Sequence, residues 1–223
     1  MNGIYKSVLM SISLFAVLLM TGLSFEVQAD TDREWQFRVF LDDREIGYQR
    51  VRLTPEEGGR RVSVEPNFKE KVLFITAYRY EHQTVEIWKG SCLANIDSRT
   101  DDNGKDLYIQ SQSGTDEFII ETHDGPQALE GCIRSFVYWD PELLKVSRLL
   151  NTQIGEYQAV ELVELGENPI EIEGELVKAL QYRILAEDRS IDLWYTPEMD
   201  WLALQSVTDG GYRIRYLPVK EVL

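Results

Sequence analysis

The chain has 223 residues, with 38 acidic against 23 basic side chains and a formal charge of −15. So large an excess of carboxylates repels phosphate backbones and anionic headgroups, which argues against nucleic-acid binding and against electrostatic attachment to lipid surfaces. The acids are mixed with Arg and Lys along the chain, so they read as a solvated exterior and not as a binding tail.

The first 29 residues have the organisation of a signal peptide. Lys6 precedes an apolar run from Val8 to Leu19, and Val27-Gln28-Ala29 puts small residues where signal peptidase needs them, so cleavage is expected after Ala29. The alternative is an uncleaved anchor, but the run is short of the ~20 residues a spanning helix requires. No cysteine lies near the cut, so lipoprotein acylation has no substrate there. The expected product is one exported β-rich domain, residues 30–223, not membrane-spanning after processing.

Period-two alternation dominates the chain beyond this leader. Trp35, Phe37, Val39 and Leu41 share one face of an opening strand, and Ile46-Gly47-Tyr48 begins the return after Asp42-Asp43. A phase slip between Tyr48 and Val51 predicts a bulge there. Glu56–Gly59 is the next turn, and Arg61–Lys89 reads as one long strand or two, with Pro66 marking a break. Further strands are predicted over residues 93–100, 105–112, 117–122 and 135–139, and then over 156–165, 170–172, 176–185, 191–195, 201–208 and 212–217. Turn residues such as Asp102-Asn103-Gly104 and Asp209-Gly210-Gly211 separate many of them.

One stretch departs from the pattern. Asp140-Pro141-Glu142 is a helix start, with a capping Asp, a first-turn Pro and an acid facing the dipole. Leu143, Val146, Leu149 and Leu150 continue at helical spacing, predicting a short helix near residues 141–150. About a dozen strands with one helix predict a mainly β fold: an antiparallel meander curling into a half-barrel, β-clam or barrel, because a flat sheet that wide leaves its edges bare.

Cys92 and Cys132 are the only cysteines. In an oxidising exported compartment they predict one disulfide, the alternative being two buried thiols.

The sequence also echoes itself. Glu86-Ile87-Trp88 and Asp192-Leu193-Trp194 each begin acid–aliphatic–Trp, and the returning strands reach Ser98-x-Thr100-Asp101 and Ser206-x-Thr208-Asp209. Leu93 to Ser98 and Trp201 to Ser206 are equally spaced, which predicts one β-meander used twice.

These motifs, in this order, resemble a family of uncharacterised exported bacterial proteins filed as a domain of unknown function. The residues that carry the resemblance begin with Phe37-x-Val39, Leu41-Asp42, Ile46-Gly47, Tyr78-x-Tyr80, Glu86-x-Trp88, Ser98, Thr100 and Asn103-Gly104. They continue with Asn151, Gly155-Glu156, Gly174, Tyr182, Asp192-x-Trp194-Tyr195, Trp201 and Ile214-x-Tyr216. The usual Asp-Gly of the opening turn is Asp42-Asp43 here. Leu193-Trp194-Tyr195-x-Pro197 is also similar to hairpins of periplasmic lipoprotein carriers, whose open β-clams hold acyl chains; that likeness implies a fold-level analogy only.

Enzymatic motifs are sparse. Two histidines, His82 and His123, make no Cys/His cluster, and neither a Gly-x-Ser-x-Gly elbow nor a phosphate loop occurs. No cofactor or metal is expected. Tyr78, Tyr80, His82, Thr84, Glu86 and Trp88 share one face of a regular strand. That face is either a cavity wall of rings and polar handles or a half-buried face covering neighbouring strands. With Asp192, Trp194 and Trp201, the residues Tyr78, Tyr80, Glu86 and Trp88 are the candidates for ligand binding. Glu86 and Asp192 serve as a glycosidase pair only at about 5 to 9 Å across a cleft.

The leading expectation is a non-enzymatic periplasmic or secreted protein binding an apolar or lipid-like ligand in a β-clam concavity. The alternatives are an envelope accessory protein with a packed core, whose protein partner is open, and a carboxylate-dependent glycan hydrolase.

Overall fold

A computed structural model describes residues 32–68, 80–102, 104–111, 117–187, 189–207 and 211–219. The expected signal peptide, Tyr78, Asn103 and most of the Asp209-Gly210-Gly211 turn lie outside the described residues.

The chain first walks outward in a meander. Strands β1 (Arg33–Leu41), β2 (Arg44–Glu56), β3 (Gly59–Phe68), β4 (Tyr80–Lys89), β5 (Cys92–Asp102), β6 (Lys105–Ser111), β7 (Phe118–Thr122) and β8 (Gly125–Leu129) each pair antiparallel with the next. It then crosses to the far edge and walks back through β9 (Arg148–Leu150), β10 (Tyr157–Glu167), β13 (Leu180–Ala186), β14 (Ser190–Tyr195), β15 (Trp201–Val207) and β16 (Arg213–Pro218). Strand β16 pairs with β1, so the order is β8-β7-β6-β5-β4-β3-β2-β1-β16-β15-β14-β13-β10-β9. A separate hairpin, β11 (Ile170–Ile172) and β12 (Glu175–Val177), lies between β10 and β13 in sequence.

The two edge strands, β8 and β9, are consecutive in the chain and are joined by residues 130–147. No ladder pairs them among the described residues. The core nevertheless contains Leu129 of β8 together with Leu150 of β9, Val62 of β3 and Leu193 of β14. One face of a sheet can gather all of these only if the sheet curls, so the fold is a barrel-like sheet left open at one seam. Residues 130–147 form a strap across that seam. Its backbone bonds run to both sides: Leu93 N–H donates to Ile133 O at 2.9 Å, and Leu150 N–H donates to Arg134 O at 2.8 Å.

The opening strand places Trp35, Phe37 and Val39 inward, as the alternation predicts. The bulge does not lie between Tyr48 and Val51. Register shifts where Val39 pairs Gly47 and Phe40 pairs Glu45, which leaves Ile46 as the extra residue. Gln49 keeps the inward phase opposite Phe37, so a polar residue on the concave face had the appearance of a slip.

The predicted strand over 135–139 is strap, with one bridge between Ser135 and Leu150. The predicted helix is a five-residue 3-10 turn, Pro141–Lys145. Asp140 caps it as expected, its side chain accepting from Glu142 N–H at 3.1 Å. The helix stops at Val146, which is extended, because Leu149 and Leu150 are fully buried as strand β9. Besides strand β9, strand β8 and the division of 176–185 into β12 and β13 were not predicted.

Cys92 and Cys132 form a disulfide. It ties the start of the strap to the β4–β5 hairpin and closes a span of 40 residues.

The sequence echo corresponds to two β-meanders, β4-β5-β6 and β14-β15-β16. Their first strands, however, present opposite faces. Ile96 pairs with Glu86, but the matching Leu204 pairs with Leu193 and not with Asp192. A one-residue slip turns every side chain over. Glu86 and Trp88 therefore point into the core, while Ile191, Leu193 and Tyr195 do so from β14.

Candidate functional site: the concave face beneath the strap

The inner face of β4 is a polar row inside an otherwise apolar core. His82, Thr84, Glu86 and Trp88 alternate inward and pair with Thr100, Ser98, Ile96 and Leu93 of β5. Glu86 is completely buried. Its Oε2 accepts from Trp88 Nε1–H at 2.8 Å and its Oε1 accepts from the Ser135 hydroxyl at 2.9 Å. Burial in a medium that solvates charge poorly pushes its pKa up to about 7, against the pull of those two donors. The carboxyl is thus protonated below neutrality.

His82 is held the other way. Burial pushes its pKa down to about 4, so the imidazole is neutral at neutral pH. Its tautomer follows from hydrogen-bond accounting. The Thr100 hydroxyl donates to Gln153 O at 3.2 Å, so it accepts from Nδ1–H at 3.0 Å. Nε2 then accepts from the Thr152 hydroxyl at 3.4 Å. Ser98 donates to Thr152 O at 2.6 Å. The turn of residues 151–155, between β9 and β10, therefore covers this end of the row. Gly155 makes the approach possible: a Cβ there meets Thr122 Cγ2 at 2.7 Å, and its φ is +84°. The Thr84 hydroxyl, between His82 and Glu86, is buried and has no hydrogen-bond partner among the described residues.

The strap covers the other end. Trp139 meets Trp88 edge-on at 5.7 Å, with the Arg60 guanidinium 4.9 Å from the Trp139 ring. Tyr138 packs on Trp201 at 5.4 Å, and Trp201 on Phe37 at 4.3 Å. The Tyr195 hydroxyl donates to Tyr138 O at 2.9 Å. Arg134 and Asp140, both on the strap, form a buried ion pair at 2.9 Å. Ile133, Val137 and Leu143 complete the seal, each burial contributing about 1.5–3 kcal/mol.

The structure thus brings Glu86, Trp88 and Trp201 to the concave side. Tyr80 opens β4 opposite Asp102. Asp192 and Trp194 face the convex side. There Asp192 takes a bidentate contact from Arg183 across β13–β14, at 2.5 and 2.8 Å. Trp194 packs with Ile172, Ala179, Leu202 and Ala203 beneath the β11–β12 hairpin. Glu86 and Asp192 accordingly lie on opposite faces of the sheet. The sequence reading did not single out Ser135, Tyr138, Trp139 or Thr152 as site residues. The signal at Ser135, Tyr138 and Trp139 was a short stretch that read as a strand, and Thr152 carried none.

Two shallow grooves mark the surface. One, of about 380 Å³, lies between β1, β16 and the β11–β12 turn, with Arg38, Phe40 and Arg215 in its wall. The other, of about 320 Å³, lies at one end of the curled sheet, over Trp35, Phe37 and Trp201. Arg33 and Asp200, paired at 2.5 Å, also line it. No group of three or more His, Cys, Asp and Glu side chains able to hold a metal occurs among the described residues. No helix among them is long and apolar enough to cross a membrane.

A curled antiparallel sheet with its seam strapped and its concavity filled defines a β-barrel-like protein. The chain belongs to the family described as Domain of unknown function (DUF6134), which matches residues 37–219. A solved structure with the same fold is the β-barrel-like protein of domain of unknown function DUF1849 from Brucella abortus. It is similar with a TM-score of 0.56 at 10% identity, over 85% of this chain and 96% of that one. At that identity the likeness establishes the fold alone. None of the curated proteins matches the sequence.

Proposed function

We propose that this is an exported, periplasmic or secreted, non-enzymatic protein that acts through its surface as a cell-envelope accessory protein. The observation that carries this reading is the filled interior. The concave face that a carrier of this shape offers to a lipid is occupied by Trp139 and Tyr138 of the chain's own strap, packed on Trp88 and Trp201. The convex face is laced by ion pairs, Glu34 with Arg50 and Arg52 and Arg38 with Glu45, which suit a rigid polar exterior. The hydrophobic leader and the −15 charge support export and argue against anionic partners.

The test is purification from the envelope fraction at pH 6, N-terminal sequencing, and native mass spectrometry with lipid extraction. The expected result is a mature chain beginning at Asp30 with no stoichiometric amphiphile. A lipid bound one-to-one at pH 6 overturns the surface reading in favour of a constitutive carrier. A chain retained with residues 1–29 in the cytoplasm overturns the export reading.

A further inference from the structure

Four arrangements single out the strap as a moving part. It is the covalent link between the two edge strands, so its displacement breaks no ladder between neighbouring strands. Its backbone is held to the sheet at a few points, by bonds with Leu93, Leu150 and Val160 and by the Tyr195 hydroxyl on Tyr138 O. Its start is anchored by the Cys92–Cys132 disulfide, so movement is confined to the part C-terminal to Cys132. Its Ser135 hydroxyl lies on the one fully buried carboxyl among the described residues, that of Glu86.

We propose that residues 130–147 are a proton-operated strap: with Glu86 protonated the strap seals the concave face, and with Glu86 ionised it lifts and presents the rings beneath to an apolar ligand. This goes beyond the surface reading above and does not depend on it.

The groups facing Glu86 give its charge no counter-ion. They are Val62 of β3, Ile96 and Ser98 of β5, Thr84 and Trp88 of its own strand, and Ser135 of the strap. The nearest ionisable groups along these elements are already committed. Arg134 is engaged by Asp140, His82 is neutral, and Arg60 of β3 lies against the Trp139 ring and donates to Gly90 O. Among the described residues, an ionised Glu86 therefore has two neutral donors and no cation. Water is its missing partner, and lifting Ser135 and Trp139 admits it. Burial of Ile133, Val137 and Trp139 keeps the strap down while Glu86 is neutral.

Linkage sets the size of the effect. A carboxyl raised from 4.5 to about 7 in the closed form, and ordinary in the open one, shifts the closed–open equilibrium toward open by up to roughly 300-fold in all, the change building up from pH 4.5 and levelling off above 7. What opens is an aromatic wall of Trp88, Trp201 and Phe37, which suits an uncharged apolar molecule.

The test is hydrogen exchange at pH 5.5 and 8.5, corrected for intrinsic rates, read at the amides of Phe136 and Leu150 and, as control, in β1 and β2. The expected result is strap exchange rising about 30-fold, well beyond any change in the control. The neutral dye N-phenyl-1-naphthylamine should bind at pH 8.5 only. Glu86→Gln, whose amide oxygen accepts from Trp88 and whose amide nitrogen donates to the Ser135 hydroxyl without carrying a charge, should stay closed at both values. Ser135→Ala, which removes a donor to the carboxylate, should raise the opening at pH 8.5 further. Strap protection that ignores pH overturns the proposal, as does an equal response in Glu86→Gln. Exchange of β1 and β2 in step with the strap also overturns it, because Glu86 then titrates through global unfolding. If Glu86→Gln fails to fold, a Ser135→Ala variant whose strap exchange at pH 8.5 matches the parent's overturns it equally.

Discussion

Glu86 and Ser135 are 49 residues apart and share a hydrogen bond of 2.9 Å in a fully dry environment. One lies mid-strand and the other on the segment that closes the sheet's open seam. The contact ties the protonation of β4 to the closure of the fold, and it gives the protein a pH signature.

The folded-state pKa of Glu86 is raised to about 7, so the native state holds a proton that the unfolded chain has released. Stability from this group is present below about 4.5 and is lost as pH rises through 7, by up to about 3 kcal/mol. His82 works oppositely: its pKa is lowered to about 4, so its contribution is present above 6.5 and is lost as pH falls toward 4. Urea midpoints of the parent should therefore change little between pH 4.5 and 6.5 and decline from 6.5 to 7.5. Glu86→Gln should remove the decline and leave a rise toward 6.5. A variant that still declines above 6.5 refutes the assignment.

Loss of the Cys92–Cys132 bridge should cost about 4 kcal/mol in the chain-entropy model for a loop of this length. Thermal melts of the double Cys→Ser variant check the magnitude. Thiol titration of the unfolded, unreduced protein should find no free SH group, and two free groups would disprove the bridge.

Gly155→Ala should destabilise by about 1–3 kcal/mol, because the residue sits at φ +84° and its Cβ would lie 2.7 Å from Thr122 Cγ2. Thr122→Ser removes that methyl. In the Gly155→Ala background it should recover the steric part of the loss and leave the backbone part. No recovery would mean that close approach to β7 is not what requires glycine.

Asp192→Asn should cost no more than about 1 kcal/mol, since its partner Arg183 is 40% exposed and solvent screens the pair. The near-ultraviolet circular dichroism of the Trp88–Trp139 pair, on the opposite face, should not change. A changed signal would show that the two faces are coupled.

Much of the architecture was legible in the residues themselves. Trp35, Phe37 and Val39 alternate because a strand with one buried face must have period two, and that pattern is local. Cys92 and Cys132 were legible as a pair by their number and by the oxidising compartment that the leader leads one to expect. Asp140 was legible as a cap because the signal lies within three residues. The length of the helix was not, because Leu149 and Leu150 satisfy a helical stripe and a strand equally well. Their placement was decided by backbone partners at Arg134 and Phe136.

The same division governs the candidate site. The sequence by itself determined an antiparallel β-fold and a row of His82, Thr84, Glu86 and Trp88 on one strand face, and it predicted that Cys92 and Cys132 pair. Only the tertiary structure decided that Asp192 faces away from that row, because register depends on neighbouring strands and a single-residue slip reverses a face. It alone placed Ser135 and Trp139 over Glu86. Burial, and with it the protonation of a carboxyl, is a property of what the rest of the chain packs on top.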